Sequence, residues 1–403
     1  MTDDAPAPAP SKASSGSLIS GLPAAAFFAL TAPVAVGGGL ALAPLQALAG
    51  LTAAPFAGLW RGIKAAWPAL LLLLGFVGFA AASTLWSPYE PGNWEQYQGA
   101  KLALGALGAA LFCAAAGASA RSRALVRAAA AAGGLVLLTL LAIEAFADMP
   151  LNRMAQPLAE TGVLERNPGR GVAILVIMAF GVMGALMDRD TLARILWRVV
   201  FVGAAVLSLQ FNMAGNAVAF GVGFIAFLIA WRAPRFALTA LGLGLAVWVV
   251  AAPFILGWLA QQESIAQALP LSWQVRLDIW GYVAPRIAEA PFLGHGIDAS
   301  RTITGLGQVG DLTFPQVPLH PHSAPLQVWY ELGAIGAALL AATLAAGGIL
   351  AGRALSAQPG AAAAACGGIA ALATLWSISY GAWQEWVIAL CGVALALANA
   401  ARR

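Results

Sequence analysis

The sequence predicts an all-α fold, a polytopic integral membrane protein of about twelve transmembrane helices with one long outer loop. Three observations carry that prediction. Hydrophobic residues make up 61% of the chain and charged residues only 9%, against about 25% charged in an ordinary soluble domain. Apolar runs of roughly bilayer-crossing length recur along the whole chain. Basic residues collect in alternate connections, as they do on a cytoplasmic face. A soluble fold is thereby excluded. The net charge of +4 is spread over short clusters between runs, which marks topology and gives no reason to expect nucleic acid.

Residues 1–17 carry Ala-Pro repeats followed by Ser and Gly and are expected to form a disordered cytoplasmic tail. They lack the basic start and apolar stretch of a cleavable signal, so the first span is expected to direct insertion. About nine spans are expected within 18–258. Region 18–60, punctuated by Gly37-Gly38-Gly39 and Pro44, is read as two short spans. Later runs fall near 67–87, 98–118, 124–147, 170–187, 195–212, 215–231 and 236–258. After an outer segment, 259–322, three more runs lie near 323–352, 361–380 and 383–400, within a C-terminal unit 323–403.

Alternation of these runs puts Arg61/Lys64, Arg121/Arg123/Arg127, Arg189/Arg194/Arg198, Arg232/Arg235, Arg353 and Arg402/Arg403 on one side. That side is the expected cytoplasm, with both termini in it. Acidic residues such as Glu90, Glu95, Asp148, Glu160, Glu165, Glu263 and Asp311 fall on the other, in loops near 88–97, 148–169 and 259–322. Within the last loop Trp273, Leu277, Trp280 and Ala284 recur at helical spacing. They predict a helix, Ser272–Ala290, lying against the membrane surface. Trp86, Tyr89, Trp94, Tyr97, Trp383 and Trp386 read as an interfacial belt. Cys113, Cys366 and Cys391 sit in apolar runs and read as small core residues. The chain has no convincing internal repeat, which argues against a transporter or flippase built from inverted halves.

The densest cluster of reactive residue types is His320-Pro-His322-Ser323, just before the run that begins at Ala324. Ser323 suits an N-cap and Pro325 a first helical turn, so a helix is expected to start there. Its positive end would share space with His322, keeping the imidazole neutral and available as a base. A histidine that only hydrogen-bonds loop carbonyls fits the same residues. Glu331, roughly 12 Å along that span at 1.5 Å per residue, is expected to pin helices together or to orient His322 or an arginine. Two histidines two residues apart with no third ligand are unlike a zinc site. No metal and no cofactor are expected. Asp298 and Glu289 read as solvated loop charges.

His322-Ser323, nine further residues and Gly333-x-x-Gly336 resemble the signature of the O-antigen ligase family, within the wider ligase/polymerase group. Leu326-Gln327, Glu331-Leu-Gly333, Arg276-Leu-Asp-Ile-Trp280 and Glu289-Ala-Pro-Phe-Leu-Gly294-His-Gly296 are similar to the family as well. The resemblance covers Arg276 to Gly336. It implies a GT-C type glycosyltransferase of the bacterial inner membrane, working on the periplasmic face without nucleotide sugar or a required metal. The donor would be a polyprenyl diphosphate-linked glycan, and the acceptor the lipid A–core oligosaccharide. A polymerase that extends a growing O-antigen or exopolysaccharide on the same carrier fits the same motifs.

The resemblance further implies that His322 activates the acceptor hydroxyl and that arginines hold the diphosphate. Arg276 is the first of these, since a guanidinium fork matches phosphate oxygens; pairing with lipid head groups or with Asp278 is the alternative. The family's second arginine has no counterpart in Phe211-Asn-Met-Ala-Gly-Asn216. Arg170, in Asn167-Pro-Gly-Arg170, is the expected substitute, ahead of Arg301, Arg153 and Arg166. His320, Glu331, Ser323 and Gln327 are expected to support the site or line the substrate. His320, held extended by Pro321, would bind sugar hydroxyls or pack the loop.

Overall fold

A computed structural model describes residues 21–53, 55–93 and 96–403. The expected tail, Trp94 and Glu95 lie outside the described residues. Among the described residues twelve mostly apolar helices form a bundle, the first nine being α1 Gly21–Val36, α2 Leu42–Ala53, α3 Phe56–Ala82, α4 Gln98–Ala116, α5 Ala120–Phe146, α6 Arg166–Leu186, α7 Thr191–Leu207, α8 Ala214–Arg232 and α9 Pro234–Ala260. An outer helix α10, Leu271–Arg286, and a hairpin of β1 Leu306–Val309 and β2 Leu312–Pro315 follow. Then come α11 Ala324–Ala354, α12 Pro359–Ile378 and α13 Glu385–Ala401.

Among the described residues eight helices are long and apolar enough to cross a membrane, and α1, α2 and α13 are shorter apolar helices. The chain is an integral membrane protein. Region 18–60 divides as expected at the Gly37–Gly39 stretch, where Gly38 and Gly39 take positive φ. The third run starts at Phe56, earlier than the expected 67, because Trp60, Arg61 and Lys64 continue its helix.

Close contacts order the helices end to end. Gly21 packs on Ser122, Gly58 on Ala114, Gly117 on Asn399 and Gly184 on Gly360. Arg127 donates to the Ala400 carbonyl, and Arg403 pairs with Asp188. These residues, with the basic clusters, share one end of the bundle. At the other end Asn152 donates to Val36, Ser83 accepts from Ile297 and Gly215 packs on Ser379. Successive helices therefore alternate in direction. A cavity of about 580 Å³ bordered by Pro234, Phe236, Thr239 and Ser356 lies at the basic end.

α6 is the central helix, buried along almost its whole length from Pro168 to Leu186. α9 and α11 touch backbone to backbone where Gly242 meets Gly348: a Cβ on either would stand 2.6 Å from the other's Cα. Small residues let membrane helices approach this closely.

Three expectations about the outer end need correction. α10 ends at Arg286 and passes into a 3-10 turn, Ile287–Glu289. Its Leu277, Ile279, Trp280 and Val283 are buried with Ala252 and Leu256 of α9 and Leu326 and Tyr330 of α11. Those apolar side chains face protein, so Trp280 is a core residue and no interfacial anchor. Trp383 and Trp386 are likewise core, 4% and 3% exposed, whereas Trp86 and Tyr97 are exposed. The hairpin, with Val309 opposite Leu312 across Gly310-Asp311, is the single two-stranded sheet among the described residues.

Candidate active site

The outer segment is spliced into α11. Gly333 has φ 61° and ψ −163°, which breaks the helix nine residues after it begins at Ala324. Only glycine enters such a conformation without strain. The interruption exposes backbone groups on both sides, and the chain after α10 satisfies them. His295 N–H donates to the Tyr330 carbonyl (3.0 Å) and Gly296 N–H to that of Glu331 (2.8 Å). Across the break, Ala334 N–H donates to Pro291 (2.8 Å) and Ile335 N–H to Phe292 (3.2 Å). A Cβ at Gly333 would collide with the Phe292 carbonyl, and one at Gly294 with the Glu331 carbonyl. The expected uninterrupted span 323–352 is thus two half-helices clamped around Pro291–Gly296.

Glu331 is fully buried at this junction. It accepts from the N–H of Asp298 (2.7 Å) and from the N–H and Oγ of Ser300 (3.3 and 2.6 Å). Gln327 Nε2 (2.9 Å) and the indole N–H of Trp383 also donate to it. Gln327 in turn accepts the N–H of Ala382 at 2.8 Å. The pair joins the outer segment, α11 and the α12–α13 connection. No hydrogen bond joins Glu331 to His322. Asp298 was expected in solvent, but it is 4% exposed and pairs with Arg301 at 2.9 Å. Burial raises its pKa, opposed by that guanidinium. Glu289 is exposed as expected, and His295 stacks on Tyr330 at 4.4 Å.

The two histidines are held by three segments. Trp280 Nε1–H donates to the Pro321 carbonyl at 2.9 Å, fixing the peptide between them. His322 takes the left-handed conformation, φ 55°, an arrangement that persists where surrounding contacts impose it. Its backbone N–H donates to Nδ1 of His320 at 3.1 Å, so the His320 proton sits on Nε2. That nitrogen lies 3.0 Å from the Gln384 amide nitrogen. Half a turn of the amide presents the oxygen instead, giving the buried and otherwise unpartnered Oε1 a donor. His320 is therefore a packed, neutral ring, its pKa pushed down to about 3 by burial first and then by His322, Arg301 and Arg170.

His322 Nδ1 lies 3.0 Å from the Ser379 carbonyl oxygen. A carbonyl can only accept, so Nδ1 carries the proton and Nε2 presents a lone pair. Burial lowers the pKa of His322, and Arg276 acts in the same direction against the bond to Ser379. A neutral imidazole with an unclaimed Nε2 can take a proton. Ser323 occupies the N-cap position of α11, but its buried Oγ makes no capping bond. The expected side-chain cap is absent.

Arg276 projects from α10 one turn before Trp280. Its Nη1 donates to the Ser272 carbonyl at 2.9 Å, the guanidinium lies over Trp273, and its buried Nε has no partner. Asp278 instead accepts from Gln316. Arg170 lies in the first turns of α6 and has no ion pair among the described residues. Gly169 beside it accepts from Asn216 Nδ2 at 3.0 Å, and Gly215 packs on Ser379. The charges of Arg170 and Arg276 both bear on Tyr380, whose hydroxyl burial pushes up to about 12. Arg301 is exposed and committed to Asp298, while Arg153 pairs with Asp148.

Sequence reasoning missed Ser379-Tyr380-Gly381, assigning its first two residues to a span. Gly381 packs against the His320 ring, where a Cβ would stand 2.7 Å from Cγ. The available signal was a Ser-Tyr-Gly break ahead of the last apolar run. Among the described residues no group of three or more His, Cys, Asp or Glu could hold a metal ion.

Residues 212–341 match the family model described as O-antigen ligase. This stretch includes α8, α9, the whole outer segment and the first part of α11, but neither Arg170 nor Tyr380. Curated relatives from Rickettsia carry provisional polysaccharide-ligase names. The protein from Rickettsia conorii is 29% identical over 174 residues, 41% of this chain and 42% of its own. That from Rickettsia bellii is 32% identical over 180 residues, 42% and 43%. That from Rickettsia prowazekii is 40% identical over 87 residues, 20% and 19%. The chain thus matches less than half the length of each relative.

Proposed function

We propose that this chain, whose residues 212–341 match the O-antigen ligase family model, transfers a glycan from a polyprenyl diphosphate carrier to the lipid A–core oligosaccharide. The acceptor hydroxyl loses its proton to Nε2 of His322 as its oxygen attacks the anomeric carbon. The bond from that carbon to the phosphate oxygen breaks, and the electron pair leaves on the diphosphate. Attack opposite the leaving group inverts the anomeric centre. Arg276 and Arg170 stabilise the departing charge, the main electrostatic demand of a glycosyl diphosphate. Arg301, paired with Asp298, takes a lesser part in holding the diphosphate.

The observation that carries this reading is the tautomer of His322. Its Nδ1–H is held by Ser379, its Nε2 is unclaimed, and Arg276 bears on it electrostatically. The basic end of the bundle supports a cytoplasmic assignment for that end and the described C-terminus. The histidines then face the periplasm across the bacterial inner membrane, with the prenyl tail lying between helices.

Purified protein incubated with lipid-linked glycan and lipid A–core tests the proposal. A joined product is expected, and its loss in His322→Ala. Full transfer by that variant overturns the role of His322. Elongation of the lipid-linked glycan with no transfer to lipid A–core overturns the ligase assignment in favour of a polymerase.

A further inference from the structure

We propose that Tyr380 is a leaving-group-binding residue, its phenol O–H donating a hydrogen bond to a phosphate oxygen of the glycan donor. The inference rests on the proposed function and adds a residue outside the family-matched stretch.

Position carries the argument. Tyr380 follows Ser379, whose carbonyl holds His322 at 3.0 Å, and precedes Gly381, which packs on the His320 ring. It lies just beyond α12, its own N–H donating to the Leu375 carbonyl at 3.2 Å. The ring is wedged edge-on against Trp386, centroids 4.7 Å apart and planes at 81°. That contact aims the hydroxyl. The ring is partly buried against the core, and the hydroxyl has no hydrogen-bond partner among the described residues, so its donor is free for a ligand.

Arg170 and Arg276, neither of which has an ion pair among the described residues, both act on this hydroxyl. They arrive from different elements. Arg170 is anchored through Gly169 and Asn216 to the chain packed on Ser379, and Arg276 through α10 and Trp280 to Pro321. Two cations whose charges reach this hydroxyl, and the O–H donor itself, thus sit on the segments that hold the base. A diphosphate satisfies all three, whereas a sugar hydroxyl leaves both cations unpaired. Burial keeps the phenol protonated at neutral pH, so it donates a hydrogen bond and keeps its proton throughout. The proton that moves is the acceptor's, and it goes to His322.

Tyr380→Phe retains the ring and its contact with Trp386. In the full-length protein its kcat is expected to fall about 10- to 100-fold, in the range of losing one oxyanion donor, at every pH. The midpoint of the His322-dependent pH profile should stay in place. A purely structural role, acting through the Ser379 carbonyl, would shift that midpoint. Binding of polyprenyl diphosphate alone gives a readout independent of transfer, and Tyr380→Phe should weaken it several-fold. If wild type binds this probe and Tyr380→Phe matches it in both binding and turnover, the role of Tyr380 is overturned while the proposed function stands. If wild type neither binds the probe nor transfers glycan, both fall.

Discussion

His322 and Ser379, 57 residues apart in sequence, meet in a 3.0 Å contact between Nδ1 and a main-chain carbonyl oxygen. A carbonyl has no proton to lose, so this partner fixes the tautomer at any pH where the ring is neutral. Replacing His322 with Ala removes the acceptor lone pair and leaves the surrounding backbone intact. Transfer should fall by about 10²- to 10⁴-fold, the usual contribution of general base catalysis. Single-turnover assays on detergent-purified protein, with thermal unfolding to confirm folding, check this.

The pH profile follows from the direction of the shift. Burial, followed by Arg276, lowers the pKa of His322, so the neutral form survives below the ordinary histidine value of about 6.5. The rate should hold as pH drops through about 6.5 and decline only at a more acidic midpoint. A limb in kcat/KM at or above about 6.5, assigned through its loss in His322→Gln, would contradict the buried base.

His320 makes a separate prediction for stability. The folded chain holds it neutral down to about 3, whereas the unfolded chain protonates it near 6.5. Below about 6.5 the unfolded state binds the extra proton, so stability should decline as pH falls from there towards 3. His320→Asn should flatten that decline in unfolding temperature measured against pH.

Arg276→Lys and Arg170→Lys keep the charge but lose the planar fork. Each should reduce kcat/KM for the lipid-linked donor by about 10-fold or more, with Ala worse than Lys. Arg301→Lys should have a smaller effect on donor use, because Arg301 is already paired with Asp298. Steady-state kinetics at varied donor concentration separate the three.

Glu331→Ala strands buried donors from Asp298, Ser300, Gln327 and Trp383. A loss of about 3 kcal/mol or more is expected, read as a lowered unfolding midpoint and faster proteolysis within the outer segment. Unchanged protection would show that Glu331 does not hold that segment down.

Most of the bundle was legible because crossing a bilayer demands long apolar runs, and their basic connections mark one end. The two histidines and Glu331 stood out because titratable groups are scarce in such a chain, and Arg276 through the resemblance of its segment; their catalytic roles are proposals. Three things were hidden. Gly333 stood out in the signature without its helix break, since its positive φ depends on a segment about forty residues earlier docking against it. The burial of Trp280 and Trp383 depends on Pro321 and Glu331 as partners, which no periodicity shows. Tyr380 was masked by the apolar run around it, because a short polar turn between two spans hardly alters the local hydropathy. The hairpin was readable in principle, from Gly310-Asp311 between short alternating stretches.

The broken helix also constrains how substrates arrive. Four main-chain hydrogen bonds stitch Pro291–Gly296 into the interruption of α11, so this stretch cannot swing away like a hinged cover without unravelling the helix that leads to His322. Under the proposed function, a lipid carrier would have to reach His322 with this segment in place. Recognition of such a carrier would then act through a pre-shaped surface, with little reshaping of the backbone at the moment of binding.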